Sequence, residues 1–331
     1  PEKVDRKTFV ISIPESVRMR HIACPGGDVP ASVERKGGRT MYTWHTTNVP
    51  VVKLEANLPP WWYLSPGVLA TSGTWPDYAA ALRDAFCAAA RDQDIAADRG
   101  RDLTYKLATP REKILAVRDF IEKNIREAGP AFTDLPLDAL TPADTTLGEG
   151  YGNAADRAVL YYAMLQGAEL QPSFVIASDQ PRDPHLDNPE ISCPQRDVFI
   201  HPLVAVTVDG IDVYLNDTDQ YAVLGSTPHD GRPGLALEDG TVMRIAAATG
   251  RENRTRTDYA LVLDAGGDAR ITRTRTFYGA AYNERRRMYE EMPPEERRRH
   301  HLEMVADIAR GAAADGPLTT VFSSYPGTES F

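Results

Sequence analysis

Strand-like alternation opens the chain. Phe9, Ile11 and Ile13 recur at every second position, and Met41, Thr43 and His45 alternate against Tyr42 and Trp44. A period of two marks half-buried strands. Turn formers such as Pro25-Gly26-Gly27-Asp28 separate these runs, as strand connections require. The period changes at Trp75-Pro76, where Pro suits a first helical position because its missing N–H would have no partner there. Leu82, Phe86, Ala89 and Ala90 then share one helical face. Thr109-Pro110-Arg111-Glu112 forms a capping box with Pro at the first position, backed by Ile114, Leu115, Val117, Phe120, Ile121 and Ile125, the pattern of an amphipathic helix with a marked start. A long polar loop runs from Ala128 to Glu149, and an apolar helix follows over Val159 to Leu165.

From Ser173 the pattern returns to strands: Phe174-Val175-Ile176, Val198-Phe199-Ile200, Leu203 to Val208 and Ile211 to Leu215. Asp209-Gly210 between the last two is a two-residue hairpin signal. Beyond Arg251, Tyr259 to Leu263 and Ala269 to Phe277 are strand-like, and a charged helix extends from Tyr282 to about Ala314, interrupted at Pro293-Pro294. Helices followed by an antiparallel sheet predict an α+β fold. We place its core at residues 71–247, between β-rich flanks at 1–70 and 248–331.

Composition narrows the function classes. The chain of 331 residues is 42% hydrophobic and 25% charged, enough for a sizeable core in a soluble protein. A net charge of −10 argues against gripping nucleic acid or anionic lipid. Without an 18-residue apolar run, no membrane span is expected. Strand patterns begin almost at once and recur at Thr319 to Phe322, which reads as an excerpt of a larger protein with partial β-domains at both ends. Three cysteines, Cys24, Cys87 and Cys193, do not make a disulfide framework, and the odd count leaves at least one free thiol.

The segment Gly150-Tyr151-Gly152-Asn153-Ala154-Ala155-Asp156-Arg157-Ala158 precedes the apolar helix. It resembles the nucleophile helix of bacterial transglutaminase-like proteins, written there as Gly-Asp-Cys-Lys-Asp-Lys-Ala. Gly152, Asp156 and Ala158 match, Asn153 and Arg157 are conservative changes, and Ala154 stands where the nucleophilic cysteine belongs. Phe199-Ile200-His201 ahead of an apolar strand resembles the family's histidine motif. Tyr214-Leu215-Asn216-Asp217-Thr218 resembles its Leu-Asp-Pro-Thr motif, with Asn216 at the orienting position and Pro missing. The resemblance spans about residues 40–280. It implies a transglutaminase-like, papain-like core, with helices packed on an antiparallel sheet between flanking β-domains, some of β-sandwich type. It also implies a bacterial protein, periplasmic or on the cell surface.

A cysteine acyl-transfer site needs a thiolate, an imidazole that accepts its proton and a group that orients the imidazole. A methyl group cannot attack a carbonyl. The expectation is therefore a pseudoenzyme, with the nucleophile lost at Ala154, His201 and Asn216 retained as relics, and Asp217 on the opposite face of a regular strand. Tyr151, Asn153 and Asp156 are expected to line the old cleft, which would bind a peptide or glycan. An exposed Asp156–Arg157 pair would add little beyond local order. Two alternatives stay open: a cysteine hydrolase or acyltransferase carrying a Cys-to-Ala trap at 154, and a water-using, glycan-active enzyme built on His201 with Asp156 or Asp217.

Other candidates read more plainly. Cys87 is expected in the core and Cys193 on a loop. Trp61-Trp62-Tyr63 reads as an interdomain packing patch ahead of a carbohydrate platform. Asp217-Thr218-Asp219 with His229-Asp230 fits no standard metal loop, so no metal and no cofactor are expected. Arg285-Arg286-Arg287 and Arg297-Arg298-Arg299-His300-His301 lie among glutamates, as in a solvated, ion-paired helix. Neither the ligand nor the oligomeric state can be read from the sequence.

Overall fold

The computed structural model describes residues 4–24, 31–49, 51, 53, 55–56, 58–64, 67–180, 189–309 and 311–331. The Pro25-Gly26-Gly27-Asp28 turn and the side chain of Cys24 lie outside them. The alternating N-terminal runs become strands β1 (Val4–Pro14), β2 (Arg20–Cys24), β3 (Ser32–Lys36) and β4 (Arg39–Val49). Three of these form an antiparallel sheet in the order β1-β4-β3. A short helix α1 (Trp61–Leu64) precedes β5 (Gly67–Thr71), which pairs with β2.

The helical half follows: α2 (Trp75–Ala90), α3 (Asp94–Thr104), α4 (Pro110–Asn124), strand β6 (Arg126–Glu127), α5 (Ala143–Glu149), strand β7 (Tyr151–Gly152) and α6 (Ala154–Gly167). The Thr109 capping box on α4 is formed in both directions: Thr109 Oγ1 accepts the Glu112 N–H, and Glu112 accepts the Thr109 N–H. The segment expected as a long loop, 128–149, instead holds two single-turn 3₁₀ helices and α5. Its short polar runs lack the length that makes helical periodicity legible. Helix α6 is buried nearly all round because α2, α3, α4, α5 and the sheet all pack on it. An apolar surface without a polar stripe is what such a central position demands.

The sheet half comprises β8 (Pro172–Ala177), the turn-like helix α7 (Pro189–Ser192), β9 (His201–Val208), β10 (Ile211–Leu215), β11 (Pro233–Ala236) and β12 (Val242–Arg244). These strands pair antiparallel in the order β10-β9-β8-β11-β12. Strand periodicity divides their side chains between two faces. Phe174, Ile176, Val204, Val206, Val213 and Leu215 join the main helical core, whereas Val175, Ala177, Leu203, Ala205 and Tyr214 pack with Ile245 on the other side. The hairpin at Asp209-Gly210 is formed as expected, with φ of 53° and 77° at its two residues, the left-handed pair that a type I′ turn requires.

Last come β13 (Arg254–Leu263), β14 (Ala269–Tyr278), helices α8 (Gly279–Glu291) and α9 (Pro294–Ala306), and strands β15 (Thr319–Val321) and β16 (Gly327–Ser330). The strands form a four-stranded sheet ordered β13-β14-β16-β15. The charged region divides at Pro293-Pro294 as expected, although α9 ends at Ala306 and not near 314. The chain is thus an α+β protein in which helices cover one face of an antiparallel sheet. No helix among the described residues is long and apolar enough to cross a membrane.

Candidate functional site

The sheet order decides where the chemistry gathers. Because neighbouring strands run in opposite directions, the end of β10, the start of β9, the end of β8 and the start of β11 lie at one end of the sheet. Ala177 faces His201 across β8 and β9, and Leu215 faces Val204 across β10 and β9. The start of α6 meets the same end. A cavity of about 670 Å³ opens there, with Ala154, His201, Asn216 and Asp217 in its wall. Side chains of α4 (Glu122), α6 (Arg157) and α8 (Asn283, Glu284, Arg287) close its other sides.

Ala154 opens α6 behind the N-cap Asn153. Asn153 Oδ1 accepts the N–H groups of Ala155 and Asp156, and Asp156 accepts the Asn153 N–H in return. The positive end of the helix is therefore occupied by its own capping box. The other Asp156 oxygen accepts the Thr141 N–H at 2.8 Å. Both carboxylate oxygens bind backbone N–H groups, and Asp156 is absent from the cavity wall that holds His201. Tyr151, Asn153 and Asp156 do not line this cavity. Tyr151 points elsewhere at 48% exposure, and the other two build the helix start.

The expected exposed Asp156–Arg157 pair is not found. Asp156 is 5% and Arg157 6% exposed, and Arg157 pairs with Glu122 of α4 and, at 3.3 Å, with Glu127. Glu122 also accepts the Tyr161 hydroxyl at 2.7 Å. Burial raises the Glu122 carboxyl and outweighs the opposing Arg157 charge and the Tyr161 hydrogen bond. Sequence spacing gives Arg157 a position on α6, but only the packing of α4 shows that this position is inside.

Asn216 stands where β10 ends, with a left-handed φ of 76° that Asn tolerates better than most residues. Its amide donates to the carbonyls of Ala154 and Pro202, each at 2.8 Å. The left-handed residue breaks the strand alternation, so Asn216 and Asp217 line the same cavity and do not point to opposite faces. Asp217 accepts the Thr227 hydroxyl at 2.6 Å, while its other oxygen is buried with no hydrogen bond. Burial, only partly offset by the Thr227 bond, pushes its carboxyl up to about 7.

His201 faces a residue that the sequence motifs do not mark. Its Nε2 lies 3.0 Å from Asp179 Oδ1, just past the end of β8, and Asp179 also pairs with Arg232. Burial would raise the Asp179 carboxyl, but its contact with His201 and the charges of His201 and Arg232 outweigh that and hold it below the usual range. The His229 ring lies 4.8 Å from the His201 ring, centre to centre. Asp179 and Arg232 sit in connections, where neither period nor motif signals them, and the sequence marks His229 only within a His229-Asp230 pair that fits no standard metal loop. Only the pairing of β8 with β9 and β11 brings them to His201.

The remaining candidates fall outside this site. Cys193 is 1% exposed against Trp62 and Leu69, and burial raises its thiol pKa. The loop thiol is therefore a packed one. Cys87 is half-buried against the main core, and burial raises its thiol as well. The Trp62 packing accounts for the middle of the Trp61-Trp62-Tyr63 patch, and Trp61 Nε1 donates to Glu190 at 3.0 Å.

No family model matches the chain, and no curated protein does. Among solved structures, a candidate protease from Parabacteroides distasonis aligns with a TM-score of 0.60 at 21% identity. That alignment covers 80% of this chain and 52% of the other, so the chain spans about half of that protein. A candidate cysteine protease from Cytophaga hutchinsonii aligns over 99% of this chain and 93% of its own, at 11% identity and a TM-score of 0.31, too loose to carry an argument. The first likeness is one of fold alone, shared over four fifths of this chain.

Proposed function

We propose that this chain is a catalytically silent transglutaminase-like module whose former cleft serves binding or structure in a larger protein. The observation that carries this reading is the wiring of Asn216. Both of its N–H groups are engaged by the backbone carbonyls of Ala154 and Pro202, while His201 contacts Asp179. A thiol-activating relay needs the imidazole held toward the nucleophile by its orienting group, and here Asn216 faces backbone carbonyls while His201 faces Asp179. The capped start of α6 and six carboxyl groups against three guanidiniums in the cavity wall also offer a thiolate at 154 little support.

The test is the thiol pKa of an Ala154→Cys variant, with Cys24, Cys87 and Cys193 replaced, read from iodoacetamide labelling against pH. A value at or above the unperturbed one, about 8.5, is expected. A value of about 3.5–7.5, the range of activated thiols, would overturn the silent reading and favour a trapped cysteine hydrolase or acyltransferase.

A further inference from the structure

We propose that Asp179, His201 and His229 form a binding site for a divalent first-row transition-metal ion of the zinc type. One ligand atom from each lies within 4.8 Å of the other two. The three come from different parts of the sheet end: the exit of β8, the start of β9 and the approach to β11. Two imidazoles and a carboxylate form a donor set suited to zinc or ferrous iron, whereas calcium and magnesium favour all-oxygen shells.

Three further observations support the site. His201 Nε2 is a buried atom that makes no hydrogen bond of good geometry, although Asp179 Oδ1 lies 3.0 Å away. A neutral ring nitrogen and a carboxylate oxygen that already face each other are two of the ligands such an ion takes. Next, the cavity wall carries six carboxyl groups, two of them raised by burial, against three guanidiniums, a balance that does not repel a cation. Finally, the three residues line the same cavity as Ala154. An ion held by them would keep a coordination position open to that space, which is the pattern of ligand-accepting sites and not of closed structural ones.

Loading needs only small movements. Ligand atoms around a tetrahedral ion stand roughly 3.3 Å apart, so the present spread closes by side-chain shifts on the order of 1 Å. Asp179 lies in a connection, and its pairing with Arg232 leaves a second carboxylate oxygen to approach the ion. The inference needs the sheet end alone and is independent of whether the cysteine chemistry has been lost.

Calorimetric titration of the metal-stripped full chain with Zn²⁺ tests it, together with Co²⁺ absorption as a report of coordination geometry. We expect one Zn²⁺ per chain with a Kd in the micromolar range or tighter, and a low-symmetry Co²⁺ spectrum. Replacing both histidines (His201→Ala with His229→Ala) should weaken Zn²⁺ binding by at least tenfold, and Asp179→Asn should change the Co²⁺ spectrum. Absence of stoichiometric uptake by the unsubstituted chain would overturn the site. So would unchanged affinity in a double variant whose circular dichroism and melting remain those of the parent. If that variant does not fold, the unsubstituted chain decides: protection of His201 and His229 from diethylpyrocarbonate by one equivalent of Zn²⁺ supports the site, and undiminished modification overturns it. Labelling of Ala154→Cys is done on metal-stripped protein, so a poised thiol would refute the silent reading without bearing on metal binding.

Discussion

Asn216 differs from aspartate by an amide in place of an oxygen, and that amide supplies two hydrogen bonds the site cannot otherwise form. The carbonyls of Ala154 and Pro202 both face it at 2.8 Å, and an ionised carboxylate has nothing to donate. Asn216→Asp, which would restore the residue of the resembling motif, is therefore expected to destabilise the fold by about 1–3 kcal/mol, the usual cost of buried polar groups left without partners. Urea unfolding compares the two proteins directly. A variant as stable as the parent would mean that these bonds contribute little. The identity of Asn216 was legible in the sequence, but its partners were not, because they depend on a strand ending and a helix beginning at the same point in space.

Helix pairs carry the next level of specificity. Helix α3 approaches α6 so closely that a Cβ on Gly167 would lie 1.9 Å from the Ala97 carbonyl oxygen, and one on Gly100 would lie 2.0 Å from that of Met164. Both obstacles are backbone, so neither can turn aside. Ala is favoured over Gly in a helix by about 1 kcal/mol, but overpacking costs about 1–3 kcal/mol or more. Gly167→Ala should therefore destabilise, whereas Gly148→Ala in α5, where the added methyl meets nothing within 4 Å, should stabilise by about 0.5–1 kcal/mol. Thermal melts of the two variants should move in opposite directions, and a shared direction would contradict the packing described here. Elements with strong local signals, such as the Thr109 capping box and the Asp209-Gly210 turn, were legible in advance. Helix α5 was not, since seven residues with few apolar positions carry no readable period. The half of the site borne by Ala154, His201, Asn216 and Asp217 followed from motifs. The half borne by Asp179, His229 and Arg232 required the non-sequential pairing of β8 with β11.

For the whole molecule, the cavity makes stability depend on pH. Asp217 titrates near 7 in the folded chain against 3.8 for the free group, so the folded state holds a proton that the unfolded chain releases. Stability conferred at low pH is then lost as pH rises from about 4 through 7, because the folded state binds more protons over that window. Burial raises Glu122 as well, which acts in the same direction. Asp179, held low, acts oppositely and only as pH falls below the usual carboxylate range. Urea midpoints measured from pH 4 to 8 should decline more steeply in the parent than in Asp217→Asn, and parallel profiles would rule out this carboxyl as a source of the slope.

The hairpin turn offers a practical handle. His201 opens β9 and Val208 ends it, so the Asp209-Gly210 turn lies roughly 24 Å along the strand from the cavity, at about 3.4 Å per residue. A Cβ at Gly210 would meet nothing within 4 Å. A fluorophore grafted at this turn would ride on the same strand as His201 without touching the cavity, so that energy transfer to a dye-labelled ligand could report its capture.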